Sequence, residues 1–327
     1  MNASNARRVC IVGAGAIGCT LAARLASSGQ QVSMLARGET LSMIRSRGVV
    51  LHDLQGTHRV TVAASDDPGQ LGTQDVVFIC TKANALAQLL PRLGPLVGPE
   101  TVVIPAVNGV PWWYFNRLPG RFAERRVDAV DPDGSLSKAL AAEQLLGTVV
   151  FITAQTESPG VARAGNPHLM IFGELVDGVT DRLRALCSMM ENAGIEARAT
   201  DRIRDVLWTK IIANLTSNPL SVVTGATLQQ IYGSEELVTG VLAVLHEALL
   251  VAAAYGARVS HDPASFMRLG EGMGAVRTSM LQDFDAGRPL ELSAIGDAVV
   301  ELAQLQGIAM PHTRHILDLA RFRAAAR

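Results

Sequence analysis

Lys210, Asn214 and Asn218 recur at intervals of four, so a helix through them carries an amine and two carboxamides on one face. Their neighbours Trp208, Ile211, Ile212 and Leu215 are apolar. A lysine and two asparagines in such company need partners. Either a buried polar network satisfies them, or the amides hold a polar substrate beside an ammonium that donates a proton. Pro219 follows Asn218 directly, which predicts a local break of the helix at a cleft.

A second constellation, Gly13-Ala14-Gly15-Ala16-Ile17-Gly18, lies between a strand-like run, Val9 to Val12, and a helix-like run, Cys19 to Ala26. The first glycine allows the tight turn, the second lets a pyrophosphate approach the backbone, and the third lets helix pack on strand while the helix N-terminus faces the phosphates. With the strand Gln31 to Ala36, these residues form a βαβ unit of dinucleotide-binding size. Arg37 stands where an NAD-selective site carries an acid, and Glu39 comes two residues later. Unless Arg37 is simply a solvated surface residue, its planar fork suits the 2′-phosphate of NADP or NADPH. Thr81-Lys82 follows the strand Val76 to Cys80, and Asn108-Gly109 follows Val102 to Ala106. Both are at strand carboxyl ends, where Lys82 can meet ribose or phosphate oxygens and Asn108 a ribose or a substrate; otherwise they are ordinary turn residues. His312 and His315 have H-x-x-H spacing but no third ligand, so they read as solvated helix residues and no metal is expected.

The elements that must position these groups fall into two halves. Strands, including Val60 to Ala63, alternate with helices, including Ala83 to Leu93, up to about residue 200, which predicts an α/β Rossmann-type N-terminal domain with a mostly parallel sheet. Thr148 to Thr153 and Leu169 to Phe172 read as antiparallel additions at one sheet edge, before a helix over Thr180 to Ala193. From Arg202 on, long apolar segments with helical period predict an all-helical C-terminal domain. The expected domains are 1–200 for the cofactor and 201–327 for substrate and catalysis, with the site lying between them.

Composition narrows the function classes. Lys plus Arg (29) nearly balance Asp plus Glu (30), so no long-range field draws nucleic acid or an anionic membrane. With 48% hydrophobic and 18% charged residues, the 327-residue chain is not disordered. Cys10, Cys19, Cys80 and Cys187 form no C-x-x-C pair, which argues against a disulfide framework and for the cytoplasm. Arg7-Arg8 and the apolar run after them suggest a signal peptide only weakly, because glycines interrupt the run. The uncharged stretch Ile211 to Ser234 is too polar to be a membrane span.

The glycine turn, Arg37, Thr81-Lys82, Asn108-Gly109, Lys210-x-x-x-Asn214-x-x-x-Asn218-Pro219-Leu220, and Ser279-Met280-Leu281-Gln282-Asp283 followed by Glu291 occur in that order through nearly the whole chain. Together they resemble the ketopantoate reductase (2-dehydropantoate 2-reductase) family. The resemblance implies NADPH-dependent reduction of a 2-oxo acid, ketopantoate to pantoate in pantothenate biosynthesis. It makes Lys210 the general acid, places Asn214, Asn218 and Ser279 on substrate hydroxyl and carboxylate groups, and puts Asn108 between cofactor and substrate. Glu291 would face the cofactor and the lysine region. The expected partner is a small 2-oxo acid, with no nucleic acid and no membrane, and the protein acts as a monomer or homodimer. One departure stands out: the family continues with another glycine after Asn108-Gly109, whereas this chain has Val110-Pro111-Trp112-Trp113-Tyr114-Phe115. One of Trp112 and Trp113 is expected in the core and the other at the cleft, where it would favour a bulkier 2-oxo acid or an imine. A nucleotide sensor without turnover is the rival of another class. The joint presence of Lys210, Asn214, Asn218, Ser279 and Glu291 speaks against it.

Overall fold

The structure, a computed structural model, describes residues 6–326. The chain forms two compact units. One comprises residues up to Val107 with Phe115–Arg125 and Ser135–Ile203; the other comprises Asn108–Tyr114, Arg126–Gly134 and the chain from Arg204 onward.

The first unit runs β1 (Arg8–Val12), α1 (Ala16–Ser27), β2 (Gln31–Leu35), α2 (Gly38–Arg47), β3 (Val49–Asp53), β4 (Gly56–Val60), β5 (Ala63–Ser65), β6 (Gln74–Ile79), α3 (Leu86–Leu89), β7 (Val97–Pro105) and α4 (Ser135–Ala139). It continues with β8 (Gly147–Val150), β9 (Ala154–Ser158), β10 (Val161–Ala164), β11 (Leu169–Gly173), α5 (Asp181–Asn192) and β12 (Glu196–Thr200). The principal sheet has the order β5-β2-β1-β6-β7 and is parallel throughout. Val9, Cys10, Ile11 and Val12 are fully buried, as the middle strand of a sheet covered on both faces requires. The strand order reverses between β1 and β6, so the turn after β1 opens at the switch point where such sheets bind ligands.

Three expectations change here. The segment Ala83 to Leu93 is not one helix: α3 spans a single turn between 3₁₀ turns at Ala83–Ala85 and Leu90–Arg92, because Pro91 and then Gly94-Pro95 cut the ladder. The apolar run at Val60 to Ala63 divides between β4, which forms a hairpin with β3, and β5, which pairs with β2. The late strands do not extend the principal sheet. They make a sheet β12-β11-β8 and, with the hairpin, a sheet β4-β3-β10-β9, while an isolated bridge between Val103 and Leu145 runs back to β7.

The second unit is helical: α6 (Ile203–Thr224), α7 (Leu228–Gly233), α8 (Glu235–Ala254), α9 (Pro263–Gly272), α10 (Ser279–Asp285), a π-helical turn at Ser293–Asp297, α11 (Ala298–Leu305) and α12 (Pro311–Ala325). Its helix starts follow from sequence. Thr227 and Gln230 form a capping box, Asp262 caps α9 with Pro263 in the first turn, and Thr278 caps α10. α8 is long and apolar enough to cross a bilayer by length and composition alone. Its Glu247 carboxylate instead accepts the His312 and Thr313 backbone N–H groups, each at 2.9 Å, and so caps α12 from within the unit. The His312 ring nitrogen Nδ1 also lies 2.9 Å from Glu247, so this histidine is paired and not merely solvated.

The break expected at Pro219 is absent, and α6 continues to Thr224. The ring removes only the N–H that would have bonded the Leu215 carbonyl, and burial of Leu215 and Leu220 holds the helix across that gap. The aromatic stretch also differs from expectation. Trp112 and Trp113 are 2% and 1% exposed, so both are core residues and neither makes a solvent-facing wall.

Candidate active site

The turn after β1 is shaped by what its glycines exclude. Gly13 has φ +105°, and a Cβ there would lie 2.8 Å from Thr81 Cγ2 and 3.1 Å from the Cys80 carbonyl carbon. A Cβ on Gly18 would overlap the Gly13 carbonyl oxygen, so the third glycine is what lets α1 pack on the turn. A Cβ on Gly15 would meet nothing within 4 Å; the backbone there faces open space. No side chain caps α1, whose first turn (Ala16, Ile17, Gly18) carries no acid, so its N-terminal N–H groups suit an anion.

A cleft of about 450 Å³ opens beside this turn, lined among others by Gly13, Ala14, Arg37, Thr40, Thr81 and Arg92. The Thr81 hydroxyl is buried without a hydrogen-bond partner, an orphan that a ribose or phosphate oxygen would satisfy. Arg37 is exposed at the end of β2, just ahead of α2. Arg92 Nη2 donates to the Asp66 carbonyl at 3.0 Å, which fixes a second guanidinium at the cleft. Uncapped amides, two arginines and an orphaned hydroxyl fit a phosphorylated dinucleotide. Lys82, one residue beyond Thr81, is half-buried and does not line this cleft. Arg92 and Thr40 were not legible as site residues: Arg92 lies in an irregular stretch with no periodic face, and Thr40 carries no motif.

In the helical unit, α6 carries Lys210, Asn214 and Asn218 along one face, while Trp208, Ile211, Ile212 and Leu215 are buried. Lys210 is half-buried, and desolvation holds its ammonium pKa below the ordinary lysine value of 10.5. The Asn214 side-chain nitrogen is buried with no acceptor. Asn218 is buried and its Oδ1 accepts from the Ser217 hydroxyl at 3.3 Å. Ser221 donates to the Asn218 carbonyl at 2.7 Å, and its hydroxyl is 2.6 Å from that of Thr278. That chain brings Ser279, exposed at the first turn of α10, to the asparagine end of α6.

Asn108 and Glu291 lie two and three residues before the partners of one backbone contact elsewhere in the same unit. Glu291 directly precedes the helical residues that enter the π-turn, and its carbonyl accepts the Ile295 N–H at 3.1 Å. The Val110 N–H donates to the Ala294 carbonyl, inside that turn, at 2.8 Å. The expected residues thus form three groups: the glycine turn and Arg37 on the first unit, the α6 face with Ser279, and Asn108 with Glu291 at the π-turn.

A Rossmann-type unit with a phosphate-binding turn, joined to a helical unit bearing a desolvated lysine, is the architecture of a dinucleotide-dependent oxidoreductase. The family pattern described as Ketopantoate reductase PanE/ApbA matches residues 9–177, and the one described as its C terminal matches residues 202–324. A 2-dehydropantoate 2-reductase from Mesorhizobium japonicum is 35% identical over 98% of both chains. The crystal structure of a Ralstonia solanacearum MolK2 protein assigned as a ketopantoate reductase superposes with a TM-score of 0.94 at 38% identity, covering 99% of each chain. A D-mandelate dehydrogenase solved with NADH and anilino(oxo)acetate, 20% identical with a TM-score of 0.84 over 98% of this chain and 99% of its own, shares the fold. The chain belongs to the ketopantoate reductase family.

Proposed function

We propose that this protein reduces 2-dehydropantoate to pantoate with NADPH. The observation that carries the reading is the α6 face, where a desolvated Lys210 ammonium and the acceptorless Asn214 amide stand on one helix of a ketopantoate reductase family member. Gly13 to Gly18 would receive the pyrophosphate on backbone N–H groups and Arg37 the 2′-phosphate, while Lys82 and Asn108, which do not line that cleft, would reach the cofactor beyond it. Bound NADPH supplies the hydride for the oxo carbon. As that carbon becomes tetrahedral, its oxygen gains charge, and Lys210 both stabilises the alkoxide and protonates it. Asn214, Asn218, Ser279 and Asn108 hold the substrate's hydroxyl and carboxylate oxygens, and Glu291 keeps the lysine oriented.

Burial of both tryptophans removes the aromatic wall that would have favoured a bulkier oxo acid or an imine. The balanced charge gives no long-range field to draw a nucleic-acid or membrane partner, and four free thiols agree with the reducing cytoplasm. We assign the working form as a monomer or homodimer. The test is NADPH oxidation followed against a panel of 2-oxo acids that includes 2-dehydropantoate. Highest kcat/KM for 2-dehydropantoate is expected. Turnover of none of the panel would overturn the enzymatic reading in favour of a sensor.

A further inference from the structure

The strap Asn108–Tyr114 belongs to the helical unit and is tied to it at both ends. At one end the Val110 N–H bonds the Ala294 carbonyl within the π-turn that follows Glu291. At the other, Arg204 Nε donates to the Tyr114 carbonyl at 2.9 Å and Trp208 Nε1 donates to the Tyr114 hydroxyl at 2.8 Å. Arg204 and Trp208 lie on α6, and Trp208 is two residues before Lys210. Tyr114 is further held edge-on by Trp208 and Tyr255, with ring centroids 6.2 and 5.8 Å away.

Gly109 makes the first of these ties possible. Its φ of +87° is strained for any L side chain, and a Cβ there would lie 2.5 Å from the Ala294 oxygen and 2.6 Å from its carbonyl carbon. The π-turn is itself an uncommon, locally widened stretch of helix of the kind that clusters at functional sites. Only a bare backbone turn can lie flat on it. Gly296, within the same π-turn, has no room for a Cβ either, because Leu317 fills that space.

We propose that Gly109 is a positioning residue: by letting the strap dock on the π-turn, it registers Asn108 against Glu291 and, through Tyr114, against the helix that carries Lys210. This rests on the roles given to those three residues above. Docking sets where the groups stand, so its loss slows the chemical step, since small misplacements of reacting groups are costly in rate. The cleft beside the glycine turn is lined by first-unit residues, so of the cofactor's assigned contacts only that of Asn108 depends on the strap.

Wild-type turnover of 2-dehydropantoate is measured first, because its absence would sink the functional reading and not this inference. In Gly109→Ala, kcat at saturating NADPH should fall at least tenfold, while NADPH Kd rises by a smaller factor. The primary isotope effect with 4-deuterated NADPH should rise, which loss of active protein alone would not cause. Amide exchange, followed in peptides spanning residues 108–114, should show lost protection at Val110. If the variant does not fold, an ester in place of the Val110 amide, installed with the corresponding 2-hydroxy acid, deletes the single N–H. That form should lose kcat threefold or more. A folded Gly109→Ala protein, or failing that the ester form, with kcat within twofold of wild type and an unchanged isotope effect overturns the proposal.

Discussion

Replacing Lys210 by alanine removes the only group assigned to protonate the nascent alkoxide. General-acid catalysis by a positioned side chain is worth about 10²–10⁴ in rate, so kcat should fall at least a hundredfold, a loss of about 2.7 kcal/mol in transition-state stabilisation. Desolvation lowers the Lys210 pKa, and an acid works only while protonated. Wild-type kcat should therefore be flat at neutral pH and decline tenfold per unit above a pKa that lies below 10.5. Lys210→Ala should erase that alkaline limb, and Lys210→Arg should move it beyond the measurable range at a low plateau, because the guanidinium stays charged. NADPH affinity should hold in both variants, since Lys210 is not among the residues that line the cleft. Steady-state rates between pH 6 and about 11, with NADPH titrated by fluorescence, read all of this. An alkaline limb that survives in Lys210→Ala, or a kcat within threefold of wild type, would refute the assignment of Lys210 as the acid.

Three more outcomes follow from the geometry. Arg37→Ala should weaken NADPH binding by roughly ten- to a hundredfold while leaving NADH affinity unchanged, and Arg92→Ala should weaken NADPH binding by a smaller factor; calorimetric titration with both cofactors checks each, and equal losses for NADH would disprove phosphate recognition. Gly15→Ala meets no neighbouring atom, so Tm should stay within about 2 °C while NADPH Kd rises tenfold or more; unchanged binding would mean that the open space over this turn does not receive the pyrophosphate. Burial alone would raise the Glu247 pKa, but hydrogen bonds from Thr313 and His312 hold it below the usual carboxylate range. That cap is fully formed at neutral pH and is lost as pH falls through the lowered pKa, so Glu247→Ala should cost about 3 kcal/mol or more, roughly 10 °C in Tm, with the gap to wild type narrowing toward acid; a gap independent of pH would rule out the charge-assisted cap.

Period and motif made the βαβ unit legible, because the glycine turn, the strand before it and the helix after it all impose the same local geometry. The helical half was legible for a related reason: its long apolar segments keep a helical period. What escaped depends on contacts distant in sequence. Pro219 argued for a break, yet packing of its apolar neighbours outweighs one missing hydrogen bond. The segment around Pro91 looked helical in composition but falls into 3₁₀ turns. At Val110 to Tyr114, composition could not say which unit the aromatics would join; they are core of the helical unit, although the chain reaches them before the first unit is complete. Of the candidate site, the residues carried by motifs were readable and Arg92 was not, since only the folded cleft puts it near Arg37.

The interleaving of the two units makes the order of synthesis matter. Tyr114 is translated 90 residues ahead of Arg204 and 94 ahead of Trp208, and the Asp128 amide 173 ahead of the Glu301 carboxylate that accepts from it. At about 5–20 residues per second, the strap waits roughly 5–20 s for its first partners, and the second inserted segment roughly 9–35 s. During that interval Trp113 and Tyr114 have no helical core to enter, so the nascent chain carries a sticky aromatic segment that a chaperone or rapid collapse of the first unit must shield. A polypeptide beginning at Arg204 would lack the aromatic filling for its own interior, so the helices alone do not constitute a foldable fragment.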